Sequence, residues 1–193
     1  MVHGLMLKWK MEKVKCVKHL NRGGMSLLHQ NRPIVTIKQS LGEKLFSAVS
    51  LACLLLAVGY LMLSWQELPE QVPLHFNALG EADRFGGKAS VVILPILGLF
   101  MWGSMTAFER VPYLYNYLVK ITEENAEKQY RIGVWMMNVT KNLSVLLFAY
   151  LIYETVMMGK QESEQLTAGI LPAFLVLIFG AIAWAMFQMV KNK

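Results

Sequence analysis

His75, Asn77, Glu81, Asp83 and Arg84 stand within ten positions of a 193-residue chain, with Lys88 close behind them. Imidazole and carboxylate groups coordinate several divalent cations, which makes His75, Glu81 and Asp83 candidate metal ligands. The competing reading is a turn network that satisfies itself, with Arg84 and Lys88 pairing the acids. No HxH or HxxxH spacing fixes two imidazoles at one centre, and no catalytic or cofactor motif elsewhere rivals this stretch. His75, Asn77, Glu81, Asp83, Arg84 and Lys88 are therefore the candidate ligand-binding set. No catalytic residue is assigned and no cofactor is expected.

The backbone that presents these groups is shaped by proline and glycine. Pro69 and Pro73 each disfavour helix at the residue before them and hold the segment extended. Asn77-Ala78-Leu79-Gly80 and Phe85-Gly86-Gly87 read as turns, where Gly80 and Gly86 accept positive φ without penalty. Alternation sends Leu74 and Phe76 to one side, toward the membrane interface or helix ends. His75 and Asn77 go to the other.

Long apolar runs flank this polar segment. Residues 45–65, 89–108 and 166–190 contain no charged side chain, and residues 143–158 are interrupted only by Glu154. A hydrocarbon core about 30 Å thick needs roughly 20 helical residues. With 55% hydrophobic residues and a mean hydropathy of +0.39, the pattern predicts an all-α integral membrane bundle. The bundle has four transmembrane helices and one structured extracytoplasmic loop. The expected organisation is a basic leader over 1–44, a first helix hairpin over 45–108 with its loop at 66–88, an inner loop over 109–132, and a second hairpin over 133–193.

The leader holds nine Lys or Arg against Glu12 and Glu43, a net of +7, so the rest of the chain is close to neutral at −1. Such a patch lies on anionic lipid or marks the cytoplasmic side. No recognisable motif supports nucleic-acid binding, and none is expected. The leader lacks the apolar stretch of a cleavable signal peptide, and Met6, Met11 and Met25 are alternative starts. The 109–132 loop carries four Lys or Arg, Arg110, Lys120, Lys128 and Arg131, whereas the 66–88 loop has only Arg84 and Lys88 and is acidic. By the positive-inside rule both termini are cytoplasmic and 66–88 is extracytoplasmic, in a bacterial cytoplasmic membrane. Cys16 and Cys53 fall in different environments, and neither is expected to carry chemistry.

Thr122 precedes Glu123 and Glu124 as a capping hydroxyl before acids, so a helix is expected from about Glu123, running unbroken into the third span. Glu124/Lys128 and Glu127/Arg131 are i,i+4 pairs along it. Lys141 and Asn142 mark its inner boundary, the lysine snorkelling to the headgroups. Glu154 is expected within reach of water at the outer end. Gly98, Trp102, Gly103 and Ser104 in the second span, and Gly180, Ala181, Ala183 and Ala185 in the fourth, read as close-packing surfaces.

The outer loop also carries a resemblance. Leu68, Pro69, Val72, Pro73, His75, Phe76, Asn77, Gly80, Asp83, Phe85, Gly86 and Lys88, placed just after a transmembrane helix, resemble the signature of the bacterial domain of unknown function sixteen-forty-eight. A weaker echo continues at Ile121, Thr122, Asn125, Ala126, Gln129 and Tyr130. That domain is similar to the N-terminal part of SdpI-type immunity and signalling proteins, which protect a producing cell from a secreted toxin. Their further membrane half, with its Trp…His-Arg segment, has no counterpart after Gly133 here. The resemblance implies a non-enzymatic role in sensing, regulation or toxin resistance. Partners would be the lipid bilayer and a secreted peptide or cytoplasmic regulator. The alternative is a component of a small-solute or ion transporter or channel, although the first, second and fourth spans offer almost no polar lining. A metal-dependent membrane enzyme would have to be built on His75 and its neighbouring acids.

Overall fold

The first helix begins where its cap dictates. In the computed structural model, which describes residues 32–77, 79–163, 165–167 and 169–193, the Ser40 hydroxyl accepts from the Glu43 amide. The Glu43 carboxylate in turn accepts from the Ser40 amide at 2.7 Å. This reciprocal capping box starts α1, Leu41–Leu63, four residues before the uncharged run. Strands β1, Gln71–Phe76, and β2, Ala82–Gly87, form an antiparallel hairpin. A short 3-10 turn, Lys88–Val92, leads into α2, Ile93–Phe108. After a second such turn, Pro112–Leu114, come α3, Ala126–Gly159, and α4, Ile170–Lys191. The basic stretch of the leader over 1–31, with Cys16 and the alternative starts, lies outside the described residues; Cys53 is a free thiol.

Among the described residues, four helices are long and apolar enough to cross a membrane, and the chain is a multi-pass membrane protein. Leu56 on α1, Phe100 on α2 and Val176, Phe179 and Phe187 on α4 are exposed. An apolar surface of that extent requires lipid around it. Within the unit Pro33–Lys193, α3 packs against each of the other three helices and also touches β1, whereas α1 and α2 barely touch each other. The main core joins Leu54, Ala57 and Leu61 of α1 to Val145, Ala149, Ile152 and Val156 of α3. A smaller cluster of Ile121, Ala126 and Tyr130, with Val35 and Ile37, closes the end at which α1 begins and α4 finishes.

Helix α3 runs unbroken through the third span, but it starts at Ala126 rather than near Glu123. Asn125 is the reason. Its side chain accepts from the Thr122 amide and donates to the Lys120 carbonyl, which folds 122–125 into a turn ahead of the helix. The i,i+4 pairing of Glu127 with Arg131 is also replaced. Arg131 reaches across to the Glu43 carboxylate and the Lys38 carbonyl. Of the small-residue surfaces, Gly98 does pack closely, against Leu54 and Phe148, and Ala185 is buried. Gly103 and Gly180 have nothing near them.

Candidate functional site

The polar loop is a β-hairpin, and an irregular register decides which of its side chains meet. Val72 pairs with Gly86 and Pro73 with Phe85, but the ladder shifts on both sides of His75, which lies opposite Arg84. Such bulges re-aim side chains. Here His75 Nδ1 comes within 2.6 Å of Asp83 Oδ1, and both side chains remain well exposed, at 59% and 44%. Arg84 is exposed beside them and has no ion-pair partner among the described residues.

Asn77 builds the turn. Its Oδ1 accepts from the Leu79 and Glu81 amides at 2.9 and 3.0 Å, and its Nδ2 donates to Glu81 Oε2. Gly80 has φ +86°, the left-handed conformation that the reading of this turn required. Its carbonyl accepts from the Leu166 amide at 2.8 Å, tying the hairpin tip to the segment before α4. Gly86 differs from expectation. It lies in β2 rather than at a turn, and its missing side chain makes room for Leu74 across the ladder. The pair buried from this strand is Val72 and Pro73, while Leu74 stays partly exposed and Phe76 half-buried.

The basic residues do not neutralise Glu81 or Asp83. Lys88 pairs with Glu70 at 3.0 Å and lies over the Trp65 ring. Lys160, after α3, bridges Glu67 and Glu162, whose carboxylates push its pKa up. The base of the hairpin is clamped by buried Leu68, Val72, Val91 and Leu166. Gly159 lies so close that a β-carbon there would meet Leu68 Cδ2 at 2.6 Å. The candidate set therefore divides. His75 and Asp83 meet at the exposed surface of the hairpin and Arg84 is exposed next to Asp83 in β2; Asn77 and Glu81 form the turn, and Lys88 belongs to the base. Among the described residues no three His, Cys, Asp or Glu side chains gather at one point.

A second polar assembly was missed by sequence reasoning. Lys141 does not snorkel: its side chain is 1% exposed, and its Nζ lies 2.9 Å from Glu109 Oε1, itself 3% exposed. Around this pair, Asn138 donates to Glu109 Oε1 and Ser47 Oγ, and Asn142 donates to Ser47 Oγ and Asn138 Oδ1. Ser50 donates to Asn142 at 2.7 Å, Lys141 also reaches Thr106, and Gln39 donates to the second Glu109 oxygen. The layer bonds α1, α2 and α3 together near the end at which α1 begins. Its signal was available as Ser47/Ser50 and Asn138/Lys141/Asn142, each at helical spacing on one face. Glu154 is likewise buried rather than wet, with the Ser163 hydroxyl donating to it at 3.4 Å.

A family model, Domain of unknown function (DUF1648), matches residues 52–99, from the middle of α1 through the hairpin into α2. An Archaeoglobus fulgidus protein described as "Uncharacterized protein" is 53% identical over 36 residues, 19% of this chain. The match spans 20% of that relative's length. No solved structure matches.

Proposed function

With residues 52–99 carrying that domain of unknown function, we propose a non-enzymatic surface receptor or resistance role of SdpI-like type. The hairpin faces the outside of the cell and both termini lie in the cytoplasm. The observation that carries this reading is the exposed His75–Asp83 contact on a hairpin whose first strand packs against α3. A polar face held rigidly above the membrane gives a secreted peptide an ordered surface to bind, without ordering the loop at the moment of contact. Positive side chains at the opposite end support the orientation.

Two measurements test it. In a cysteine-free background, Leu79→Cys should react with an impermeant thiol reagent in intact cells and Asn116→Cys should not; the reverse labelling overturns the orientation. A strain lacking the gene should lose survival in the peptide fraction of producer-culture supernatant. A His75→Ala/Asp83→Ala/Arg84→Ala variant present at wild-type level should fail to restore it. Equal survival of deleted and intact strains removes the resistance role.

Transport is the second reading, favoured by the buried Glu109–Lys141 pair, since an intramembrane charge is a functional hypothesis by default. Under that reading Lys141→Met changes ion flux into protein-containing vesicles. Under the first it changes stability alone.

A further inference from the structure

A hollow of about 780 Å³ opens between the segment before α1, the first turns of α3 and the end of α4. That volume is in the range of pockets that hold small ligands, about 300–1,000 Å³. Half-buried Ile37 and Ile132 form an apolar part of its wall, and Lys38, Lys128 and Arg131 supply positive charge. Arg131 is held in place by the Lys38 carbonyl and the Glu43 carboxylate. Lys38 and Lys128 are exposed and have no ion-pair partner among the described residues. Glu127 is the one carboxylate of the lining and opposes an anion there.

We propose that this hollow binds the phosphate headgroup of an anionic lipid, with Lys38 and Lys128 on the phosphate and Ile37 and Ile132 against the glycerol end of the chains. Its position argues for lipid. It lies where α1 begins at Leu41 and α4 ends at Lys191, at the level where apolar helix surface gives way to charge. Basic pockets between membrane helices recognise headgroups in this way. The pre-set Arg131 guanidinium lowers the ordering cost of a third contact. This site is independent of the hairpin and of any role assigned to it.

The test uses the full chain in zwitterionic detergent, titrated with short-chain phosphatidylglycerol, phosphatidylcholine of the same chains, and inorganic phosphate. Wild type should prefer phosphatidylglycerol. Lys38→Gln/Lys128→Gln should weaken it about 25-fold, two cations contributing about fivefold each, while Glu127→Gln strengthens it. A variant with Lys8, Lys10 and Lys13 changed to Gln should bind as wild type does, which separates the hollow from general attraction to the leader. If inorganic phosphate competes at equal concentration, the anion site stands and its natural ligand is a soluble phosphate. Equal binding of the two lipids by wild type overturns the proposal. So does unchanged phosphatidylglycerol affinity in a folded Lys38→Gln/Lys128→Gln protein.

Discussion

Lys141 Nζ on α3 lies 2.9 Å from Oε1 of Glu109, the residue that caps the end of α2, and both side chains are almost wholly buried. Removing one partner strands the other as a buried charge, which costs about 3–5 kcal/mol, whereas removing both can be nearly neutral. Lys141→Met and Glu109→Gln should each lower the unfolding temperature in detergent sharply. The double variant should be more stable than the sum of the two losses. Simple additivity would mean that the pair does not interact in the folded protein.

Gly80→Val and Gly86→Val should both destabilise the protein, for different reasons. The first forces a β-branched residue to φ +86° and against the Leu166 carbonyl, a strain of about 1–3 kcal/mol. The second drives a side chain into Leu74. Leu74→Ala should therefore rescue Gly86→Val and leave Gly80→Val unimproved, as read by thermal unfolding. Equal rescue of both would contradict the turn geometry.

His75 and Asn77 should separate. His75→Ala removes an exposed contact and should change stability by no more than about 0.5 kcal/mol. Asn77→Ala strips acceptors from two backbone amides and, like loss of a helix cap, should cost about 0.5–2 kcal/mol. Matched unfolding curves for the two variants would show that the Asn77 bonds contribute nothing.

Tyr115 gives a pH signature. Burial, and then the charge of Glu109, raise its pKa above the ordinary tyrosine value. The folded state thus keeps a proton that the unfolded chain releases above about pH 10. The stabilisation is fully present below that pH and falls as pH rises beyond it. Tyr115→Phe should flatten the alkaline part of the stability curve. An unchanged slope would assign the alkaline loss to other groups.

The four spans were legible because length and apolarity alone decide what crosses a bilayer. The left-handed turn at Gly80 was legible because Asn77-x-x-Gly80 is local chemistry. Lys141 was not: a lysine at the edge of an apolar run looks the same whether it reaches for headgroups or for Glu109 across a whole loop. Gly86 was misplaced for a related reason, since two adjacent glycines signal a turn unless a partner strand presses Leu74 onto them. The His75–Asp83 contact depends on a register irregularity that no spacing rule contains. Arg131 chose Glu43 over Glu127 because the capping box of α1 had already fixed that carboxylate in place.

Because α3 is the helix against which the others pack, the order of synthesis matters. α1 and α2 leave the ribosome first and have little to hold each other with. Glu109 is made roughly 30 residues before Lys141, so at about 5–20 residues per second it waits roughly 2–6 seconds for its counter-ion. During that interval the carboxylate belongs at the membrane surface and draws the end of α2 there. The polar layer that joins α1, α2 and α3 needs Lys141 and Asn142, so a chain stopped before Lys141 lacks the contacts that would hold its first two helices together.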